Sequence, residues 1–457
     1  MGDLDAALAA IVGTANVAVG EAISEDLTHD EALTATPVIP AAVVRPGSTD
    51  EVAAIVALAR ERAIPVTARG SGTGLSGACI PQADGLLVSF DRMADIVELD
   101  LDNHVAVVQP GVTLAQLDEA TAAHGLVYPV FPGENSASLG GNVATNAGGM
   151  RAVRYGVTRH QVLGLTAVLG TGETIRTGGK FVKATSGYDL TQLIIGSEGT
   201  LAIATEATLR LHPRLTHGAT VLIPFSTLDE VTAAIPRIVG SGLMPTILEY
   251  IDFITMGAIT AAQNLELGVP QDIKDTALAY LVVVLENRTD DRVDEDVADL
   301  AELVTDLGAL DLYVLPSHAG AALIDAREKA FWTAKAMNAN DLIDMVVPRA
   351  SMPEYLAAVQ ASAQATGSLV VGCGHAGDGN VHLSVFQPDP TIRKDVVGRI
   401  LRAGADLGGA VSGEHGIGTE KKRYLAEIED PAKLELMRRI KASFDPAGIL
   451  NPGVIFD

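Results

Sequence analysis

The rhythm of apolar and polar positions changes along the chain. Residues 41–69, AAVVRPGSTDEVAAIVALARERAIPVTAR, read as a short apolar strand, a helix, and a second strand. Ser48, Thr49 and Asp50 are the candidate N-caps, and Val52, Ile55, Val56 and Ala59 fall on one helical face. LLVSF (86–90) is another strand, LGLTAVLG (163–170) and TIRTG (174–178) form a hairpin around Gly170, Thr171 and Gly172, and SEGTLAIATEATLRLHP (197–213) alternates like a strand up to a boundary at Pro213. Beyond residue 216 the strands ATVLIPF, LAYLVVVLE, SLVVG and VHLSVF alternate with amphipathic helices near 227–240, 291–307, 319–338, 352–366 and 391–406. That alternation predicts a separate α+β unit. The tail, DPAGILNPGVIFD (445–457), is punctuated by glycine and proline and predicts a loop laid on another surface. No repeat of 20–50 residues is present.

Composition narrows the classes. At 457 residues, 48% hydrophobic and 19% charged, the chain is globular with room for two or three cores. Its formal charge of -25 repels nucleic acid and anionic lipid. The acidic run DDRVDEDVAD (290–299) reads as a solvated helix face. Cys79 and Cys373 are the only cysteines, so no disulfide framework is expected and a reducing, cytoplasmic compartment fits. ALAYLVVVL (277–285) is about half the length that spans a bilayer, and no secretory signal is expected; peripheral docking on a membrane partner stays open.

Two glycine-rich stretches carry candidate chemistry. In GSGTGLSG (70–77), Gly72, Gly74 and Gly77 have the G-x-G-x-x-G spacing of a dinucleotide loop. The following ACIPQADG (78–85), with Pro81 and Gly85, leaves too little chain for the crossover helix of a nicotinamide-binding fold, so the glycines belong on a loop between strands. Such a loop still forms a nest of N–H groups for a pyrophosphate. PGENSASLGGNVATNAGGMRAVRYG (132–156) supplies a second glycine- and hydroxyl-rich region. One such loop reads as tight turns, whereas two in residues 70–156 point to a large phosphate-bearing cofactor.

GHAGDGNVH (374–382) and SGEHGIGTEKKRYL (412–425) bring three imidazoles, His375, His382 and His415, and the carboxylate of Glu414 into glycine-bounded loops. Zinc, iron and manganese accept such a set. His375 and His382 are too far apart for one helix face, but Gly377 and Gly379 permit a reversal. Buried structural histidines account for the same spacing, and both readings stand on spacing alone.

PVTARGSGTGLSGA (65–78), GGNVATNAGGMRAVRYG (140–156), SEGTLA (197–202), GHAGDGNVH, GEHGIGTEK and FDPAGILNPG (444–453) together resemble, in that order, the FAD-linked D-2-hydroxyacid dehydrogenases of the vanillyl-alcohol oxidase / p-cresol methylhydroxylase superfamily. D-lactate dehydrogenase, the FAD subunit of glycolate oxidase and D-2-hydroxyglutarate dehydrogenase belong there. The resemblance implies a two-lobed FAD-binding domain over residues 1–215, an α+β cap over 216–412, and a C-terminal segment, 413–457, that returns to the FAD domain. It implies that Gly70, Ser71, Gly72, Thr73 and Gly74 hold the FAD pyrophosphate. Ser76, Pro132, Gly133, Ser138, Gly141, Asn142, Thr145 and Ala147 line the rest, completed by Glu198, Gly199, Ile203 and Asn451. The flavin is expected to be non-covalent, with Cys79 a buried residue.

The resemblance also makes His375, His382 and Glu414 ligands of a divalent metal (zinc or manganese), and His415 the general base. The metal lowers the hydroxyl pKa, and the neutral imidazole takes its proton as hydride leaves for flavin N5. Arg327, in IDAREKAFW (324–332), aligns with the carboxylate-binding arginine, whose fork suits a bidentate pair. Without the family it reads as a surface pair with Asp325 or Glu328. Phe331, Leu342 and Ser384 stand where the dicarboxylate branch has threonine, lysine and asparagine, so a monocarboxylate with an apolar side chain near Phe331 or Trp332 is expected. The electron acceptor, whether quinone, cytochrome or electron-transfer flavoprotein, is not identified. A glycolate oxidase-type subunit active only with partner subunits, an oxidase using oxygen, and a homodimer remain open.

Overall fold

A computed structural model describes residues 3–456. The first half builds two main sheets and a two-stranded one that pairs Leu126–Val127 with His212–Pro213. One has the order Val17–Ala18, Ala42–Val44, Leu86–Ser89, Val66–Arg69, and its last three strands run parallel. The Thr49–Glu61 helix packs Val52, Ile55, Val56 and Ala59 into the core and is capped by Ser48, whose side chain accepts from Glu51 N. The glycine loop connects the parallel strands Val66–Arg69 and Leu86–Ser89 without a helix, as the short spacing requires. The second sheet is antiparallel, in the order Ile96–Asp100, Val105–Val108, Ala202–Arg210, Val162–Leu169, Thr174–Gly178. The Val162–Leu169 / Thr174–Gly178 hairpin is the predicted one.

The second half is one seven-stranded antiparallel sheet, ordered Tyr313–Leu315, His217–Phe225, Ala279–Asn287, Ile247–Asp252, Leu369–His375, Asn380–Phe386, Asp341–Val346. Helices Leu228–Gly240, Asp290–Thr305, Met352–Thr366 and Pro390–Asp406 contribute to its largest core, around Phe225 and Tyr355. The apolar run at 277–285 lies in a central strand of this sheet. No helix among the described residues is long and apolar enough to cross a membrane. The tail does return: Val66 N donates to Ile449 O and Asn451 N to Val66 O, extending the parallel sheet by a bridge at Leu450.

Two expectations need correction. The strand placed at 197–213 begins only at Ala202, because Glu198 (φ 52) and Gly199 (φ 71) turn the chain through left-handed conformations. The single helix placed at 319–338 is two, Ser317–Glu328 and Ala330–Ala336. The interruption at Lys329 falls between Arg327 and Phe331, and both residues line one cavity.

Candidate active site

His375 ends the Leu369–His375 strand, a single 3₁₀ turn over Ala376–Asp378 reverses the chain, and His382 follows on Asn380–Phe386. Gly379 closes that turn at φ 77, where a Cβ would stand 2.1 Å from Val347 O, so a side chain is excluded by space as well as by conformation. The reversal brings the two rings to 4.8 Å between centroids, and His415 stacks on His382 at 5.0 Å.

Glu414 joins them. Its Oε1 lies 2.9 Å from His375 Nε2 and 3.2 Å from His382 Nε2, while Oε2 accepts from Gly149 N at 2.5 Å. Two further carboxylates support this group. Asp344, fully buried, accepts on Oδ2 from Ser412 Oγ and from the N–H groups of Gly413, Glu414 and His415 at 2.7–3.0 Å. Its Oδ1 accepts from Asn380 Nδ2 at 2.8 Å, and Lys421 Nζ is 3.6 Å away. Glu249, also fully buried, faces His375 Nδ1 at 2.7 Å.

Charge shapes these groups. Burial pulls the His375 pKa down, but Glu249 and Glu414 outweigh it and raise it to about 10. Burial pulls His415 down to about 4 despite Asp344, leaving a neutral ring at pH 7.

Arg327 is inside the protein. Its Nη2 lies 2.6 Å from Glu249 Oε2, off the line of a hydrogen bond, so Nε and Nη2 both lack a hydrogen-bond partner. The surface pair with Asp325 or Glu328 does not form; Asp325 takes Lys329 at 2.7 Å.

Arg327, His375, His382, Glu414 and His415 line a cavity of about 250 Å³, whose other walls are mostly apolar, with Phe131, Ile254, Phe331, Met337, Leu342 and Phe386, and also carry Glu328, Thr255, Thr333 and Ser384. Trp332, expected near the substrate, faces a neighbouring surface groove instead and is 40% exposed. A second cavity of about 170 Å³ is lined by Gly70, Ser71, Gly72, Thr73, Gly74, Ser76, Pro132, Ser138, Gly141, Asn142, Thr145, Ala147, Glu198 and Gly199. Leu75, Pro132, Glu414 and His415 line both cavities. Hence the glycine loops and the histidine cluster, distant in sequence, meet at His415.

Two models span most of this chain: the FAD binding domain matches residues 40–178, and the C-terminal domain of FAD linked oxidases matches residues 214–455. The chain belongs to the FAD-linked oxidase family. An FAD-linked oxidoreductase of Mycobacterium tuberculosis is 58% identical over 100% of this chain and 99% of its own. A D-lactate dehydrogenase of Anaerostipes hadrus is 36% identical over 96% of this chain and 94% of its own. A D-2-hydroxyglutarate dehydrogenase of Stutzerimonas stutzeri is 31% identical, covering 91% of both chains. In fold, this FAD-linked oxidase is similar to 4-ethylphenol oxidase from Gulosibacter chungangensis, with a TM-score of 0.79 at 20% identity over 98% of this chain and 95% of that one.

The second cavity suits FAD. A Cβ on Gly70 would lie 1.9 Å from Ser138 Oγ, so the backbone itself forms the wall there, and the buried Ser76 Oγ and Asn142 Nδ2 have no partner within the protein. Some expected flavin residues stand elsewhere. Gly133 lines the histidine-side cavity, and Ile203 a smaller one of about 60 Å³ beside Gly70 and Gly141. Asn451 lines none of these cavities: its Nδ2 donates to Ala78 O and Glu198 O, bracing the loops from behind. Cys79, expected to be buried, is half-buried and lines the FAD-side cavity, where desolvation pushes its thiol up to about 12.

The donor set suits a divalent metal as well. Two imidazole nitrogens and a carboxylate oxygen lie within 4.8 Å of one another, and Glu249 stands behind His375 as an outer partner. The sequence reading missed Glu249 and Asp344. Their signal was present, since each is a carboxylate inside an apolar strand, ILEYID and DLIDMV, where it must find partners to be tolerated.

Proposed function

We propose that this FAD-linked oxidase converts a D-2-hydroxyacid with one carboxylate and an apolar side chain to the 2-oxoacid, using FAD and a divalent metal ion, zinc or manganese. The observation that carries the reading is the junction at His415, where a glycine-walled cavity and an apolar cavity meet beside two histidines and a glutamate. The names of the D-lactate and D-2-hydroxyglutarate dehydrogenase relatives support the hydroxyacid and its handedness.

In this reading His375, His382 and Glu414 hold the metal, and the glycine-loop residues of the second cavity, with Glu198, hold FAD. When bound, FAD supplies a hydride acceptor and the dication lowers the hydroxyl pKa. Arg327 receives the substrate carboxylate on its two unpartnered N–H groups, and neutral His415 takes the hydroxyl proton. Arg327 is the one arginine or lysine among the described residues lining this cavity. A second carboxylate would therefore meet Phe331, Leu342 and Phe386 unpaired, which favours an apolar side chain there. The domain division that accompanies this reading is 1–215, 216–412 and 413–457.

The test is anaerobic mixing of the yellow protein with paired D- and L-hydroxyacids of increasing side-chain size, with added zinc or manganese and with EDTA. Bleaching by D-forms that EDTA abolishes without releasing FAD is the expected result. No bleaching by any hydroxyacid in metal-replete protein defeats the proposal.

A further inference from the structure

We infer that Glu249 is a positioning residue that joins the two halves of the site, orienting His375 with one carboxylate oxygen and aiming Arg327 with the other. This rests on the roles proposed above for His375 and Arg327. Glu249 lies on the Ile247–Asp252 strand, directly opposite His375 in the antiparallel pairing with Leu369–His375. Its neighbours Leu248 and Tyr250 are buried, and Glu249 itself is fully so. Oε1 is 2.7 Å from His375 Nδ1, and Oε2 is 2.6 Å from Arg327 Nη2.

Both neighbours are donors at those atoms. A guanidinium has no acceptor. A histidine that offers Nε2 to a metal keeps its proton on Nδ1, and the group receiving that proton fixes both tautomer and ring plane. His375 Nε2 faces Glu414 and the candidate metal position, so its Nδ1–H points at Glu249. Glu249 must therefore turn an oxygen to both sides, accepting the His375 Nδ1–H and pairing by charge with the Arg327 guanidinium, which a carboxylate does and an amide of the same shape does not. In Glu249→Gln the NH₂ faces either Arg327, donor against donor, or His375 Nδ1. In the second orientation the imidazole proton is driven to Nε2 and the ligating lone pair is lost. Each orientation disables one half of the site. If Glu249 only neutralised a buried arginine, the amide would leave metal binding untouched.

The experiment uses FAD-loaded full-length protein and reads binding rather than turnover. Mn²⁺ affinity is measured by competition with a fluorescent chelator, and the affinity of propionate, an unreactive monocarboxylate, by perturbation of the flavin spectrum. Wild type, His375→Ala and Glu249→Gln are compared at equal flavin content. His375→Ala is expected to lose Mn²⁺. Glu249→Gln is expected to bind Mn²⁺ about 10- to 100-fold more weakly, the usual cost of removing an outer-shell partner, or, if Mn²⁺ is kept, to bind propionate at least about tenfold more weakly. Retention of Mn²⁺ by His375→Ala removes the metal reading itself. Loss in His375→Ala with both affinities intact in Glu249→Gln overturns the role of Glu249 alone. Should Glu249→Gln fail to fold, Arg327→Gln decides. Arg327 pairs with Glu249 and with none of the three candidate ligands, so weakened Mn²⁺ binding in that variant supports the connection and unchanged binding refutes it.

Discussion

Replacing Asp344 by asparagine removes charge but little volume from the buried anchor of the loop that carries Glu414 and His415. One oxygen, Oδ2, accepts from Ser412 Oγ (2.7 Å) and from the N–H groups of Gly413 (3.0 Å), Glu414 (3.0 Å) and His415 (2.9 Å). Hydrogen bonds to a charged acceptor contribute about 1.5–3 kcal/mol and neutral ones about 0.5–1.5 kcal/mol, so each of these weakens by about 1 kcal/mol. The new NH₂ also meets Asn380 Nδ2, which now donates to Oδ1 at 2.8 Å. With imperfect additivity the loop loses about 3–4 kcal/mol of its hold. At about 1.4 kcal/mol per decade, the opened population rises about 10²- to 10³-fold. Burial opposes ionisation of Asp344, but His415, Lys421 and His382 outweigh it and hold the carboxyl well below its ordinary range. A depressed folded value gives stability that is present above the unfolded value of 3.8 and lost as pH falls through the folded one, so the whole effect is read at neutral pH. Hydrogen–deuterium exchange at residues 413–415 should accelerate by about the same 10²- to 10³-fold while the sheet strands stay protected. A folded Asp344→Asn protein with unaltered exchange there refutes the anchoring argument.

Other expectations follow from the same geometry. His415→Gln should lower kcat about 10²- to 10⁴-fold while the flavin spectrum is retained, and near-normal flavin reduction in a rapid-mixing experiment contradicts the base assignment. Gly70→Ala places a Cβ 1.9 Å from Ser138 Oγ; the ratio of flavin to protein absorbance in the purified variant should fall, and full occupancy counts against the cradle. Leu342→Lys should give a 2-hydroxydicarboxylate a measurable gain in kcat/KM, because it supplies a cation on the apolar wall; no gain in a folded variant places the side chain elsewhere. Burial pushes Glu198 up to about 7, against the N–H groups of Ile417 and Gly418 and Lys421. A raised carboxyl costs stability as pH climbs from 4.5 to 7, where only the unfolded chain ionises, at about 1.4 kcal/mol per unit. The Tm of the FAD-free Glu198→Gln variant, relative to wild type, should therefore rise across that interval, and a flat difference excludes the perturbation.

Local pattern carried much of the fold because the local rules and the tertiary packing agree. Ser48 caps the helix whose apolar face was visible at Val52, Ile55, Val56 and Ala59, and the glycine loop lacked the residues for a crossover helix. Residues 319–338 misled, since helical propensity runs through Lys329 and nothing in the apolar spacing marks the interruption there. Ser197–Leu201 misled for another reason: Glu198 adopts a left-handed conformation that its side chain disfavours, held by carboxylate bonds to Ile417 and Gly418 from the far end of the chain. The candidate site was legible where chemistry is concentrated in short motifs, as at His375, His382, Glu414 and His415. Where one residue acts across the sheet, the sequence marks a buried carboxylate but not its partner. Glu249 and Asp344 each sit inside an apolar strand, and these partners, His375 for the one and residues 412–415 for the other, are 126 and 68–71 residues away in sequence.

Charge counting shows why these supports and the metal reading belong together. Glu249, Asp344 and Glu414 place three carboxyl groups in contact with two imidazoles in a mostly apolar interior, where an unpaired charge is costly. Two permanent cations face them, Arg327 at 2.6 Å from Glu249 and Lys421 at 3.6 Å from Asp344, so three ionised carboxylates leave one negative charge uncompensated. The protein alone makes up the difference by keeping a proton on His375, whose pKa the two glutamates raise to about 10. A dication held by His375, His382 and Glu414 would take the place of that proton and leave the group one positive charge in excess. A single substrate carboxylate would neutralise that excess and a second would overshoot it, so the proposed monoanionic substrate matches the same buried charges that position the histidines.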